Sequence, residues 1–243
     1  MKKSKRRASL DTLRGLTLIS MISYHTCWDL VYLFGRDWAW YRSEGAYLWQ
    51  QSICWTFILL SGYCWSLGRQ KWKRGLTVFG AGVLISAVTW AVMPESRIFF
   101  GVLSLLGSAM LLTIPAERVL KKLPASVGLA LNFVLFLFFR NVSSGSVAFG
   151  HIAVPQVFYA NYLTACFGFP PRGFFSTDYF ALLPWLFLFW CGYELHRLFP
   201  DAAQRDVTIP FVTAMGRRSL LIYLLHQPLV YGALTALNFI GVL

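Results

Sequence analysis

The sequence has few charged residues for its length, and this scarcity indicates its class. Of 243 residues, 13% are Asp, Glu, Lys or Arg, whereas a soluble domain carries about 25%. Hydrophobic residues make up 57% of the chain, and they lie in apolar segments along its whole length. These segments are too many for a signal peptide alone. The composition therefore predicts an integral membrane protein.

Sequence motifs of soluble enzymes, metal sites and redox proteins are also missing. No Walker loop, GxSxG, HExxH or Rossmann fingerprint occurs in a usable context, which argues against a soluble-type hydrolase or NTPase. The five cysteines form no CxxC pair, so neither a metal site nor a disulfide framework is indicated. No composition shift, low-complexity tract or clear repeat divides the chain. We therefore predict a single domain over residues 1–243.

Acidic residues are scarce, with 10 Asp and Glu against 22 Lys and Arg and a net charge of +12. A basic excess can indicate nucleic-acid binding. Here, however, the basic residues cluster in short segments between apolar runs, as membrane orientation requires. The lipid bilayer is thus a predicted partner, and nucleic acid is not.

The apolar segments predict an all-α polytopic membrane protein, a bundle of about seven transmembrane helices. Each segment has roughly the length that crosses the hydrocarbon core. They cover approximately residues 10–34, 46–68, 75–93, 98–116, 125–140, 179–197 and 217–240.

In this arrangement the loops on one side of the membrane are more basic than the loops on the other side. Of the 22 basic residues, 17 fall on one side, including Lys2, Lys3, Lys5, Arg6, Arg7 and Arg205; the other side holds Arg36, Arg42, Arg97, Arg140 and Arg172. The positive-inside rule then predicts a cytoplasmic N-terminus. Seven crossings place the C-terminus on the extracytoplasmic side.

Residues 141–178 form a long extracytoplasmic loop that is rich in Gly, Pro and aromatic residues. Long loops are often lids or binding loops, and aromatic residues can anchor a segment at the membrane surface. A surface-packing role without chemistry is the alternative.

The first apolar segment carries Asp11, Arg14, His25 and Asp29. At about 100° per residue these four side chains fall on one helical face. A polar line is costly in lipid, so it should face a cavity or partner helices, and it is the leading candidate for a functional site.

Two pairs on this line each have two interpretations. Asp29 lies four residues after His25, so it could orient the imidazole of a general base or form a purely structural pair. Arg14 could pair with Asp11 three residues earlier, or it could bind phosphate.

Two further polar residues lie in the last two segments. His226 lies near the middle of the last segment, with Tyr223 on its face and Pro228 two residues on. It could line the same cavity as His25 or hydrogen-bond a neighbouring helix for packing. Asp178 lies at the outer end of the sixth segment, as an N-cap or as an acceptor-binding acid.

Several segments together resemble a known family. They are SLDTLRGLTLISMISYHTCWDL, FILLSGYCWSLGR, FGVLSLLGSAML, DYFALLPWLF and SLLIYLLHQPLVY. They are similar to the compact bacterial members of the heparan-α-glucosaminide N-acetyltransferase catalytic-domain family, within the transmembrane acyltransferases. The resemblance runs from residue 9 to about 232.

The resemblance implies transfer of an acetyl group from cytoplasmic acetyl-CoA to an extracytoplasmic acceptor, a sugar amine or hydroxyl. It also implies location in the bacterial inner membrane and no metal; assembly into a homo-oligomer stays open. His25, Asp29 and His226 match motif positions that would be catalytic, with His25 as general base or acyl carrier.

The same resemblance suggests binding residues. Arg14, Tyr223 and Ser104 would bind the donor, although relatives often carry a His at the position of Ser104. Asp178 and Trp185 would bind the acceptor.

Two other classes of protein fit the same residues. A small membrane transporter could use His25 and Asp29 as a proton or solute relay, although no paired repeat of the kind common in transporters is visible. A scaffold that kept the fold without catalysis is the other alternative.

Overall fold

The computed structural model describes residues 7–202 and 207–243. These residues are mostly helical. The α-helices are α1 Ala8–Tyr32, α2 Glu44–Trp65, α3 Lys71–Val92, α4 Val102–Leu120, α5 Ala125–Phe138, α6 Tyr162–Phe167, α7 Leu182–Leu198, α8 Pro210–Arg217 and α9 Ser219–Phe239. A short antiparallel hairpin, β1 Ser146–Val147 with β2 Ile152–Ala153, lies between α5 and α6. The basic residues Lys2, Lys3, Lys5, Arg6 and Arg205, used above for orientation, lie outside the described ranges.

Each of the seven predicted segments coincides with a helix, namely α1 to α5, α7 and α9. Among the described residues, four stretches are long and apolar enough to cross a membrane: Lys71–Val92, Val102–Leu120, Ala125–Ser144 and Ser219–Phe239. The remaining three segments fall short for visible reasons. The polar residues already noted interrupt α1, Gln50 and Gln51 lie within α2, and α7 has 17 residues, or about 26 Å of helix. Four of the helices in the described ranges could thus span a membrane, and seven crossings stay a prediction.

The contacts divide the chain into two compact units. The first unit comprises Met1–Phe57 and Asp201–Leu243, and the second comprises Ile58–Pro200.

In the first unit α1 crosses α8 at glycine positions. A Cβ on Gly15 would lie 2.0 Å from the carbonyl oxygen of Val212, and a Cβ on Gly216 would lie 1.8 Å from that of Asp11. The Thr12 and Thr213 hydroxyls are 2.7 Å apart across the same contact. Backbone approach this close requires glycine, so these residues fix how α8 packs on α1.

The sequence prediction did not include helix α8, because it began the last helix at residue 217. Pro210 occupies the first turn of α8, where a missing N–H costs nothing. Arg218 then adopts φ −108° and ψ 24°, which ends α8 before α9 begins at Ser219.

In the second unit α3 packs along α4, and α5 packs along α7. Glycines lie where α3 and α4 approach each other most closely. A Cβ on Gly82 would lie 2.6 Å from the backbone nitrogen of Ser104, and one on Gly107 would lie 2.4 Å from that of Phe79. Gly80 differs, because a Cβ there would meet nothing within 4 Å among the described residues. The contact with α4 is made by one face of α3, and not every glycine of α3 lies on that face.

The loop 141–178 is part of the second unit and is folded within it. The side chain of Asn161 accepts hydrogen bonds from the Leu163 and Thr164 N–H groups and caps α6. The Ser176 hydroxyl accepts from the Phe99 N–H at 3.0 Å and donates to the Phe99 carbonyl at 2.9 Å. The end of the loop is therefore tied to the segment that connects α3 with α4.

Candidate active site

Two histidines face each other in the first unit. The ring centroids of His25 on α1 and His226 on α9 are 5.1 Å apart, with 57° between the ring planes. His226 is buried and His25 is partly buried. Two positive charges this close would repel strongly in a medium of low dielectric constant, so the arrangement favours at most one imidazolium at a time.

The backbone of α9 determines which nitrogen of His226 carries the proton. His226 Nδ1 lies 2.6 Å from the carbonyl oxygen of Tyr223. A carbonyl oxygen can only accept, so Nδ1 donates and the neutral ring keeps its lone pair on Nε2. Nε2 is buried and has no hydrogen-bond partner among the described residues. An unprotonated imidazole nitrogen of this kind is what a general base requires.

Asp29 is hydrogen-bonded to a residue of α9. Its Oδ1 accepts a hydrogen bond of 2.6 Å from Gln227 Nε2 on α9, and its Oδ2 has no hydrogen-bond partner among the described residues. Within the described ranges no hydrogen bond or ion pair joins Asp29 to His25. The carboxylate therefore links α1 to the α9 turn that bears His226.

Aromatic and apolar side chains surround the pair. Tyr223 packs on His226 with ring centroids 5.4 Å apart, and Tyr24 packs edge-on against His25 at 6.1 Å. Both tyrosines also pack against the buried core of Leu18, Met21 and Ile53. This packing leaves the two imidazoles few alternative orientations.

Arg14 pairs with Asp11, which is the first of the two interpretations given above. Its Nη1 donates to Asp11 Oδ1 at 3.0 Å. Arg217 of α8 approaches the other oxygen of this buried carboxylate at 3.7 Å. Asp11 therefore holds two guanidinium groups near the start of α1.

The remaining predicted site residues lie in the second unit. Ser104 lines a cavity of about 240 Å³ between α3 and α4, together with Ser86, Ser108 and several aromatic side chains. Trp185 is buried against Phe136 and Phe180, with the Arg140 guanidinium 4.8 Å from its ring centre. This packing is that of a core residue with a cation–π contact.

Asp178 caps a different helix from the one expected. Its Oδ2 accepts from the Val102 N–H at 3.2 Å and so caps α4 rather than α7. Burial raises the pKa of the Asp178 carboxyl to about 6, and the hydrogen bond from Val102 opposes that shift.

The structure adds one residue that the sequence analysis did not single out. Gln227 follows His226 directly in the HQP motif, and this adjacency is the feature of the sequence that could have identified it. In the part of the chain that the structure describes, no group of three or more His, Cys, Asp or Glu side chains could hold a metal ion.

Comparison with curated proteins and with solved structures gives no match. The family model described as heparan-alpha-glucosaminide N-acetyltransferase, catalytic, matches residues 6–228, nearly the whole chain. This match agrees with the motifs at both ends of the sequence and indicates a membrane acetyltransferase. The chain belongs to the heparan-alpha-glucosaminide N-acetyltransferase catalytic family.

Proposed function

We propose that this protein transfers an acetyl group from cytoplasmic acetyl-CoA to an extracytoplasmic acceptor, a sugar amine or hydroxyl, within a bacterial inner membrane. Family membership supports the reaction type. The observation that carries the proposal is the pair of His25 and His226, with a His226 Nε2 that has no hydrogen-bond partner among the described residues.

In this proposal His226 is the general base. Its Nε2 takes the proton of the acceptor amine or hydroxyl while the acceptor nitrogen or oxygen bonds to the thioester carbonyl carbon. The carbon–sulfur bond then breaks, and the proton passes from the imidazolium to the departing CoA sulfur. The Tyr223 carbonyl stabilises the imidazolium by accepting its Nδ1–H.

His25 and Asp29 take positioning roles in the same scheme. A neutral His25 beside His226 can hydrogen-bond the acceptor or the oxyanion without adding a second positive charge. Asp29 holds Gln227 and thereby the turn of α9 that presents His226. The alternative scheme, in which His25 itself is briefly acetylated, is a form of covalent catalysis.

The donor would enter near the start of α1. Asp11 holds Arg14 and Arg217 there, and guanidinium groups bind phosphate well. The phosphates of CoA would meet these two positive charges on the cytoplasmic side. Ser104, Asp178 and Trp185 lie in the second unit, and the donor- or acceptor-binding roles that the family resemblance implies for them stay predictions.

The test is acetyl-CoA consumption by purified protein against a panel of amino sugars. We expect His226→Ala to lower kcat by about 10²- to 10⁴-fold, the usual contribution of a general base. His25→Ala should lower it less, and His196→Gln, which removes a histidine outside the pair, should keep the activity. Wild-type activity in His226→Ala would overturn the assignment of the base.

Two further measurements separate the alternatives. Trapping with radiolabelled acetyl-CoA followed by peptide mapping places label on His25 only if the covalent scheme operates. Solute or proton flux in liposomes, combined with no acetyl-CoA binding, would contradict the acetyltransferase hypothesis and support the transporter hypothesis.

A further inference from the structure

The second unit carries a strongly basic surface at one end of the α3–α4 pair. The segments 66–74 and 115–124 contain seven basic residues and a single acidic residue, Glu117. The basic residues are Arg69, Lys71, Lys73, Arg74, Arg118, Lys121 and Lys122. We call these seven residues the basic patch.

Packing of the two helices brings both segments of the basic patch together. A short connection joins α3 to α4, and the two helices pack along each other, so the start of α3 lies beside the end of α4. Glu117 links the two segments. Lys71 Nζ lies 3.0 Å from one oxygen of this carboxylate, and Lys121 Nζ lies 2.8 Å from the other. The patch is therefore one continuous surface.

The end of α4 that bears half of the patch is held in place by α7. The Arg197 guanidinium donates to the carbonyl oxygens of Leu120 and Leu123, both at 3.0 Å. Arg197 also pairs with the buried Glu194 at 2.7 Å, so it adds no net charge. A ligand of the patch thus meets a backbone that is already fixed, which lowers the entropic cost of binding.

Glu117 does not neutralise the basic patch. Both of its oxygens are paired, and Lys73, Arg118 and Lys122 form no ion pair with any residue that the structure describes. These three side chains are exposed. Lys73 also lies in the first turn of α3, which has no acidic residue and where the helix dipole disfavours positive charge. Such a surface favours a bound anion.

The surface next to the basic patch is apolar. Both α3 and α4 are long and apolar enough to cross a membrane. Trp72 is 59% exposed, and exposed tryptophans are typical of the headgroup level of a bilayer. Further along α3, Leu76 and Val83 are more than half exposed. Positive charge followed by apolar surface matches the phosphate and the acyl chains of a phospholipid, whereas a soluble phosphate compound would use the charged part alone.

We propose that the basic patch binds the head group of an anionic phospholipid, whose acyl chains lie along the exposed apolar side of α3. Lys73, Arg118 and Lys122 contact the phosphate and select for negative charge. Trp72 packs beside the head group. This lipid site does not depend on the proposed acetyl transfer, so either proposal can fail alone.

The test is native mass spectrometry of the full chain, equilibrated with equal amounts of phosphatidylglycerol and phosphatidylcholine that carry the same acyl chains. In the wild type we expect about tenfold more phosphatidylglycerol adduct, which is within the attraction that a few basic residues exert on anionic lipid. The triple variant Lys73→Gln, Arg118→Gln, Lys122→Gln should bring this ratio close to one. Its thermal unfolding in phosphatidylcholine should match that of the wild type, because the three side chains are exposed.

The matched control removes three exposed arginines outside the basic patch, with Arg36, Arg42 and Arg172 each changed to Gln. This variant loses the same charge and should keep the tenfold ratio. An excess of CoA, added to the wild type, separates a lipid site from a site for soluble phosphates. It should leave the phosphatidylglycerol adduct in place.

The inference is wrong if the wild type binds both lipids equally or if the triple variant keeps the wild-type ratio. An equal loss in the control variant would also overturn it, because total charge and not the patch would then select the lipid. Displacement of phosphatidylglycerol by CoA would instead assign the basic patch to the phosphates of a soluble nucleotide.

Discussion

At the scale of single residues, the α1 pattern placed His25 and Asp29 near each other but did not identify the partner of Asp29. Spacing of four residues puts two side chains on one helix face. It does not say whether a carboxylate turns to its own helix or to the facing one. Here Gln227 on α9 supplies the hydrogen bond. The polar line was therefore visible in the sequence, whereas its pairing depends on how α1 and α9 pack.

Replacing Gln227 by Leu tests this link. The change removes the hydrogen bond to the fully buried Asp29 carboxylate, and we expect the protein to lose about 1–3 kcal/mol of stability. Thermal unfolding in one detergent measures the loss. The double variant Gln227→Leu with Asp29→Leu should recover much of it, because replacing both partners removes the unpaired group. Additive losses in the double variant would contradict the link.

At the scale of helices, segment positions followed from hydropathy, but contacts did not. Apolar runs of this length form helices, and each of the seven apolar segments coincides with a helix. Helix α8 was missed because its eight residues are too short to give an apolar run. Likewise, composition cannot show that Gly82 lies at the contact with α4 and Gly80 does not, since this depends on how α3 is oriented against α4.

Alanine at these two glycines provides a matched comparison on one helix. In Gly82→Ala the new methyl group would lie 2.6 Å from the backbone nitrogen of Ser104, so α3 and α4 must separate, at a cost of about 1–3 kcal/mol. In Gly80→Ala the methyl group meets no described atom within 4 Å, and stability should stay equal or rise by up to about 1 kcal/mol. Thermal unfolding of both purified variants decides this, and equal melting temperatures would contradict the α3–α4 contact.

At the scale of the whole molecule, orientation depends on the distribution of charge. Of the 22 basic residues, 17 fall on the side assigned to the cytoplasm, and the donor CoA is cytoplasmic in the proposed reaction. The seven predicted crossings would then place Lys122 inside and Gln156 and Leu243 outside. Among the described residues four helices meet the length and apolarity needed to span a membrane, so seven crossings would require α1, α2 and α7 to supply the other three. Their polar residues are tolerable in lipid only where neighbouring protein covers them.

Accessibility of single cysteines to a reagent that cannot cross the membrane tests this arrangement. The five native cysteines are first replaced by alanine, and activity is checked. We expect Gln156→Cys to react in intact cells and Lys122→Cys to react only after permeabilisation, because both residues are exposed but are assigned to opposite sides. A phosphatase fused after Leu243 should be active, and a fluorescent protein fused there should be dark. A bright C-terminal fusion would require an even number of crossings, and it would remove one of α1, α2 and α7 from the set that spans the bilayer.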